Sequence, residues 1–262
     1  VQEAIPGRNN RMNTAALADL CYRMADDELV LAHRHSEWTG LGPILEEDIA
    51  FSSIAQDKLG HAQALYAIMH ELCGEPEPDT AAFMRNAEQM RCSHFVELPI
   101  GEYDFSLVRH FLFDVAEYVR WTALTQSSVE PLAKLARKIH GELKYHLYHA
   151  QTWMVQLGAK GNEESHARMQ SALREAWPYA LGMFEPGNHE QALIDEGIYI
   201  GEAATQERWL AMVSELLAPS TLDVPSTADA QFGGRKGYHT DHLQPMLDEM
   251  TEVYRLDPSA EW

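Results

Sequence analysis

A chain of 262 residues with 45% apolar side chains, 16 glycines and 12 prolines can close one large core, and is too poor in glycine and proline for a fibrous or disordered protein. Forty acidic against 20 basic side chains leave a formal net charge of −20, which excludes nucleic acid and anionic lipid as partners of the general surface. Three isolated cysteines, Cys21, Cys73 and Cys92, cannot close a disulfide framework and point to a reducing compartment.

Apolar residues recur at three- and four-residue spacing, and strand-type alternation is nearly absent, so the chain reads as all-α. The first ten residues hold no apolar run behind a basic start, and no segment reaches the ~18 uncharged apolar residues of a membrane span. The expectation is a soluble, cytoplasmic protein. The first helix is expected over 14–38, with Thr14 as N-cap, Gly40 as stop and Leu17, Leu20, Cys21, Met24 and Leu31 on its apolar face. Pro43 precedes a second over 44–73, ended by Gly74. A shorter helical piece falls near 80–90, and Ser106 opens a third long helix to about 127.

Pro131 starts a fourth long helix, which reaches Leu157. Further helices are expected at about 162–183, 203–217 and 240–255, with a long loop over 222–237. At ~1.5 Å per residue, the long helices match the core of a four-helix bundle. The domain reading is a single unit, 1–262, with a bundle core over about 14–157 and a C-terminal helical extension over about 162–262.

Bundles of this kind can hold two iron or manganese ions with one carboxylate from each of two helices and Glu-x-x-His from each of the other two. The i, i+3 spacing matters because those side chains share a helix face. The second helix offers His61, but three residues before it stands Lys58; the fourth offers His146, preceded at that spacing by Leu143. The first and third offer Glu37 and Asp114. Four of the six positions suit a metal, and both expected bridging glutamates are missing.

Three stretches carry a family resemblance: 27–31 with 36–40, 142–147, and Gly233-Gly234-Arg235-Lys236-Gly237-Tyr238-His239-Thr240-Asp241-His242-Leu243 followed by Pro245-Met246-Leu247. From about Leu17 to Trp262 the chain resembles the C-subunit branch of the ring-1,2-phenylacetyl-CoA epoxidase family of aerobic phenylacetate breakdown. The resemblance implies a ferritin-like fold that pairs with a homologous di-iron A-type protein, which is the catalyst, and has itself lost the metal site. By the A-type pattern, Glu37, His61, Asp114 and His146 match metal ligands, while Lys58 and Leu143 stand in place of the two glutamates. The resemblance further implies a small B-type component and a flavin and iron–sulfur reductase that brings electrons from NADPH, with iron held by the partner and no cofactor on this chain. The partner surface is expected on helices whose outer faces carry Phe, Trp and Met beyond the needs of one core.

Two carboxylates buried together without metal repel each other and pay for desolvation, so Lys58 is expected to occupy the vacated site and pair with Glu37, Asp114 or both. Asp57 with His61 and Glu142 with His146 are spaced i, i+4 and could form a shifted metal site. Lys58 and Lys144 on nearby faces argue against it. Arg235 and Lys236 sit in the one basic, glycine-rich loop and could meet the phosphates of coenzyme A; a structural or subunit-contact turn is the other reading. His33, His35, His140 and His149 read as surface or satisfied core residues, and Trp38, Trp121, Trp153, Trp177, Met24, Met69, Met154 and Met169 as packing.

No nucleophile with a neighbouring base, dinucleotide fingerprint or zinc spacing is present. Two readings stay open: a non-catalytic structural component, or a ferritin-like metal oxidase with a non-standard ligand set. The missing bridging glutamates favour the first.

Overall fold

The computed structural model describes residues 12–226 and 228–260; the first ten residues and Trp262, on which parts of the reading above fall, lie outside them. Among the described residues the regular elements are helices. These are α1 (Thr14–Ser36), α2 (Leu45–Cys73), α3 (Pro78–Phe83), α4 (His94–Glu97), α5 (Tyr103–Leu124), α6 (Glu130–Gly158), α7 (Glu163–Gly182), α8 (Glu190–Asp195), α9 (Glu202–Leu217) and α10 (Leu243–Leu256), with short 3-10 turns at Ala87–Gln89, Ala218–Ser220 and Gly234–Lys236. The all-α expectation holds. No helix among the described residues is long and apolar enough to cross a membrane.

Facing side chains give the helix directions. Trp38 packs on Phe51 and Tyr22 on Tyr66, with ring centroids 6.2 and 6.4 Å apart, so α1 and α2 are antiparallel. Tyr118 lies 4.6 Å from His140, and His110 Nε2 lies 3.2 Å from His149 Nδ1, so α5 and α6 are antiparallel too. His61 meets Glu142 and Glu47 meets His149, which sets α2 against α6 in the same sense. Since α2 and α5 both oppose α6, they run parallel, and residues 74–102 must return along the length of the bundle. That single long crossover is the ferritin-like connection.

Local chemistry shifts several ends. Asn13 caps α1, accepting from the Ala16 N–H at 3.0 Å, so Thr14 is the first helical residue and not the cap. Gly74, at φ 73°, ends α2 in the left-handed conformation that side chains disfavour. Ser106 lies inside α5 and its hydroxyl donates to Ile100 O at 2.7 Å. The helical piece expected over 80–90 divides into α3 and a 3-10 turn, while α4 and α8, of four and six residues, are too short to show a period.

The C-terminal helices bury the back of α5. Trp177 of α7 and Trp209 of α9 stack at 5.1 Å, and Trp209 Nε1 donates to Leu112 O at 3.0 Å. This second cover explains why α5 is buried on every side and can carry charged residues only in closed networks. Met24, Met69, Met154, Met169, Trp38, Trp121 and Trp177 are buried in the core, as expected, and Trp153 packs against it half-buried.

Candidate functional site

Asp26, Asp27 and Glu28 are consecutive, buried residues of α1. Successive helix positions point about 100° apart, so each carboxylate meets a different cation. Asp26 takes both terminal nitrogens of Arg85, at 2.9 and 2.5 Å, and the Tyr66 hydroxyl at 2.6 Å. Asp27 takes Arg235 Nη2 at 2.6 Å. Glu28 points into the bundle centre, where Lys58 Nζ of α2 lies 3.3 Å from its Oε2.

Lys58 also donates to Asp114 Oδ1 of α5 at 2.6 Å and sits 4.5 Å over the Phe113 ring. All three charged residues are fully buried. Burial opposes the charged form of Lys58, but Asp114 and Glu28 outweigh it and hold its pKa above the ordinary value. Burial likewise opposes ionised Asp114, and Lys58 with His110 holds its carboxyl well below the usual range. An ammonium bridges two carboxylates from two other helices.

Around this ion pair the histidines form crossed pairs. His61 Nδ1 lies 3.3 Å from Glu28 Oε1 and its Nε2 2.9 Å from Glu142 Oε2 of α6. His146 Nε2 of α6 lies 3.1 Å from Asp57 Oδ2 of α2. The expected i, i+4 pairs therefore do not close within a helix; each histidine takes the carboxylate of the opposite helix. On the other side of Asp114, His110 Nδ1 stands 2.5 Å from Oδ2, its Nε2 meets His149, and His149 Nε2 lies 3.1 Å from both oxygens of Glu47.

The centre does not fit two iron ions. Asp114 and Glu28 are engaged by an ammonium where a divalent ion would need them, and Leu143, fully buried, offers no donor. A cation of fixed charge already compensates the carboxylates.

Glu37 requires a correction. It follows the last residue of α1, its side chain is 40% exposed, and it accepts from Arg34 Nη1 at 2.8 Å. Glu28 is the first-helix carboxylate at the centre. Nine residues separate the two, about 900° of helical rotation, which places them on opposite faces and ~13 Å apart along the axis. Glu28 falls in the gap of the apolar series Met24, Leu31, so a carboxylate on a buried stripe is the readable signal.

The coenzyme A reading of Arg235 is also corrected. Its guanidinium is buried and both terminal nitrogens are engaged within the protein: Nη1 reaches Asp27 Oδ1 at 2.9 Å, Arg23 O at 3.1 Å and Arg91 O at 2.8 Å, and Nη2 reaches Asp27 Oδ2 at 2.6 Å and Met183 O at 3.0 Å. Lys236 is more than half exposed and pairs with Glu185 at 3.5 Å. Arg235 thus ties the loop to the protein interior.

A second buried network joins α5, α9 and α1. Arg120 links Glu117 at 2.5 Å to Glu202 at 2.9 Å, and Arg23 meets the other oxygen of Glu202 at 2.9 Å. Burial dominates at Glu117 and, with Glu28 nearby, raises its pKa to about 7 despite Arg120. Sequence spacing shows only the Glu117–Arg120 pair, three residues apart on α5, because Glu202 and Arg23 come from two other helices.

A pH dependence follows from the crossed pairs. Burial disfavours the imidazolium of His61, but Glu28 and Glu142 prevail and its pKa is raised; Asp114 and Asp57 do the same for His146. A raised folded pKa stabilises fully below the unfolded value of ~6.5, and that stabilisation is lost as pH rises through the folded value. In urea unfolding, the stability advantage of the unmodified protein over His61→Asn should therefore be largest near about pH 6 and shrink towards about pH 9. A constant difference would contradict this assignment.

The chain matches the family described as "Phenylacetic acid catabolic protein" over residues 6–262. It is 35% identical over 240 residues to the C subunit of the 1,2-phenylacetyl-CoA epoxidase of Escherichia coli (strain K12), covering 92% of this chain and 96% of that protein. With an all-α bundle and a match over almost its full length, the chain belongs to the phenylacetic acid catabolic protein family.

Proposed function

We propose that this chain is a non-catalytic, cytoplasmic subunit of a multicomponent phenylacetyl-CoA 1,2-epoxidase, pairing with and stabilising a homologous di-iron protein. The observation that carries the proposal is the Lys58 ammonium between Asp114 and Glu28, a cation in the place where a metal-loaded relative would need free carboxylates. The similarity to an epoxidase C subunit supports this reaction and a multi-subunit assembly; the components proposed beside this chain are the catalytic di-iron protein, a small third protein and an NADPH-dependent reductase.

The surface offers a place for the partner. Leu41, Leu45 and Ile49 are 64%, 68% and 61% exposed at the start of α2, and Leu45 and Ile49 share one helix face. Tyr145 and Tyr148 of α6 are also exposed, next to His149, which reaches Glu47 on α2. Apolar exposure concentrated on two neighbouring helices marks a protein contact. On this patch the exposed residues are aliphatics and tyrosines, while Met84 and Phe232 are exposed elsewhere.

The test is iron content after expression with excess iron, with and without the di-iron partner. We expect no tightly bound iron that depends on His61 and His146, and an oxygen- and NADPH-dependent epoxidase only when the partner is present. Stoichiometric iron lost from His61→Ala and His146→Ala would overturn the reading. Leu45→Glu with Ile49→Glu should leave the isolated chain folded by circular dichroism and abolish co-purification with the partner.

A further inference from the structure

Away from the bundle centre, the loop before α4 and the C-terminal loop bring three metal-binding side chain types together. The ligand atoms of Cys92, Glu97 and His239 all lie within 4.8 Å of one another. Cys92 Sγ is 3.8 Å from Glu97 Oε1 and 4.0 Å from His239 Nδ1, and that nitrogen is 2.7 Å from the same Glu97 oxygen. Cys92 and Glu97 are fully buried, and the His239 side chain is 5% exposed.

The surrounding bonds fix the roles of these atoms. His239 Nε2 faces Met90 O at 3.2 Å, and a carbonyl can only accept, so Nε2 carries a hydrogen. Glu97 Oε2 accepts from Thr240 N at 2.8 Å and Thr240 Oγ1 at 2.7 Å, which aims Oε1 at the cluster. In a neutral His239, Nδ1 would be a bare lone pair facing a carboxylate oxygen at hydrogen-bond distance. Two acceptors there need a proton or a metal ion between them. Histidine and carboxylate ligands held by outer carbonyl and hydroxyl partners are the usual support of a metal centre.

The glycine-rich loop builds this corner. A Cβ on Gly234 would come within 2.1 Å of Cys92 O, and one on Gly237 within 2.4 Å of Glu88 O. Only glycine lets the loop lie this close, and Gly237 at φ 83° then turns the chain so that His239 arrives over Cys92. His239 and Thr240 also line an open recess of about 450 Å³ with Gly237 and Gln244, so the His239 side of the cluster borders solvent.

We propose that Cys92, Glu97 and His239 form a binding site for a zinc-class divalent transition ion, with solvent as the fourth ligand. The thiolate, imidazole and carboxylate set suits zinc or cobalt. Tetrahedral bond lengths require ligand separations of about 3.4–3.6 Å, so the Glu97–His239 contact opens and the two sulfur contacts close by less than about 1 Å. Burial and then Glu97 hold the Cys92 thiol well above its usual range. Binding as the thiolate breaks the S–H bond as the sulfur–metal bond forms and releases that proton to solvent.

The experiment is a Co²⁺ titration of the chelator-treated full-length chain. We expect thiolate-to-cobalt absorption in the near ultraviolet that saturates at one ion per chain, displacement of that absorption by Zn²⁺, and release of the thiol proton on binding, read from binding heats in two buffers. Cys92→Ser should abolish the absorption and Cys73→Ser should leave it intact. Thr240→Val, which removes only the hydroxyl that holds Glu97 and keeps the fold, should weaken binding on the order of ten-fold. Absence of the absorption in the unmodified chain, its survival in Cys92→Ser, or unchanged affinity in Thr240→Val overturns the proposal. Iron dependent on His61 and His146 is a separate result and would leave this site untouched.

Discussion

Lys58→Met should destabilise the protein by about 3–5 kcal/mol, the cost of leaving buried charges without their partner. The substitution keeps the stem that packs in the core and removes only the ammonium, so the loss reports charge and not volume. Without it, Asp114 and Glu28, both fully buried, face each other across the bundle centre with only neighbouring histidines to compensate. Equilibrium urea unfolding at neutral pH measures the effect. Asp114→Asn in the Lys58→Met background should recover part of the loss, because it removes one orphaned charge; a coupling of about 0.5–3 kcal/mol is expected for residues in direct contact. A Lys58→Met protein as stable as the unmodified one would sink the idea that this ammonium replaces metal charge.

Arg235→Met should cost a similar amount, about 3–5 kcal/mol, although Arg235 lies in a surface-connected loop far along the chain. Its guanidinium spans Asp27 and three backbone carbonyls, from Arg23, Arg91 and Met183. It therefore ties the C-terminal loop to α1, to the crossover segment and to the end of α7. Arg235→Lys should rescue little, because one ammonium cannot reproduce a bidentate fork with further donors. Unfolding midpoints and hydrogen exchange at α1 check the prediction. Intact stability combined with weakened coenzyme A binding would instead restore the anion-binding role that the loop's composition suggests.

These two arginine and lysine sites show what kind of information the sequence holds. Helix type, number and approximate ends of the long elements are legible, because burying one stripe of a helix imposes a 3.6-residue period that survives without knowledge of neighbours. Lys58, His61, Leu143 and His146 are legible as a broken ligand pattern for the same reason, since i and i+3 share a face. Asp114 is legible as a carboxylate on the third long helix, where the ligand pattern expects one. Glu28 escapes this reading, because Glu37 falls in the 36–40 stretch that carries the family resemblance, and the rotation and rise of α1 separate the two.

Of the partners across helices, only Asp114 for Lys58 is legible, through the ligand pattern that brings the two positions together. That His61 takes Glu142 and His146 takes Asp57, each across the α2–α6 contact, depends on the register of two helices far apart in the chain. The same holds for the contacts of Glu202 with Arg120 and Arg23 and for the meeting of His239 with Cys92 and Glu97.

The net charge of −20 on its own describes a surface that repels anions. Sequence by itself determined that this is a helical bundle and that Lys58 and Leu143 stand three residues before His61 and His146, because both follow from local spacing and helical periodicity. Only the tertiary structure decided that Asp26, Asp27 and Glu28 each receive their own buried cation, and that the one for Glu28 is shared with Asp114. Where a charge is paired depends on which helix faces another, and that is set by packing over distances that no local period encodes.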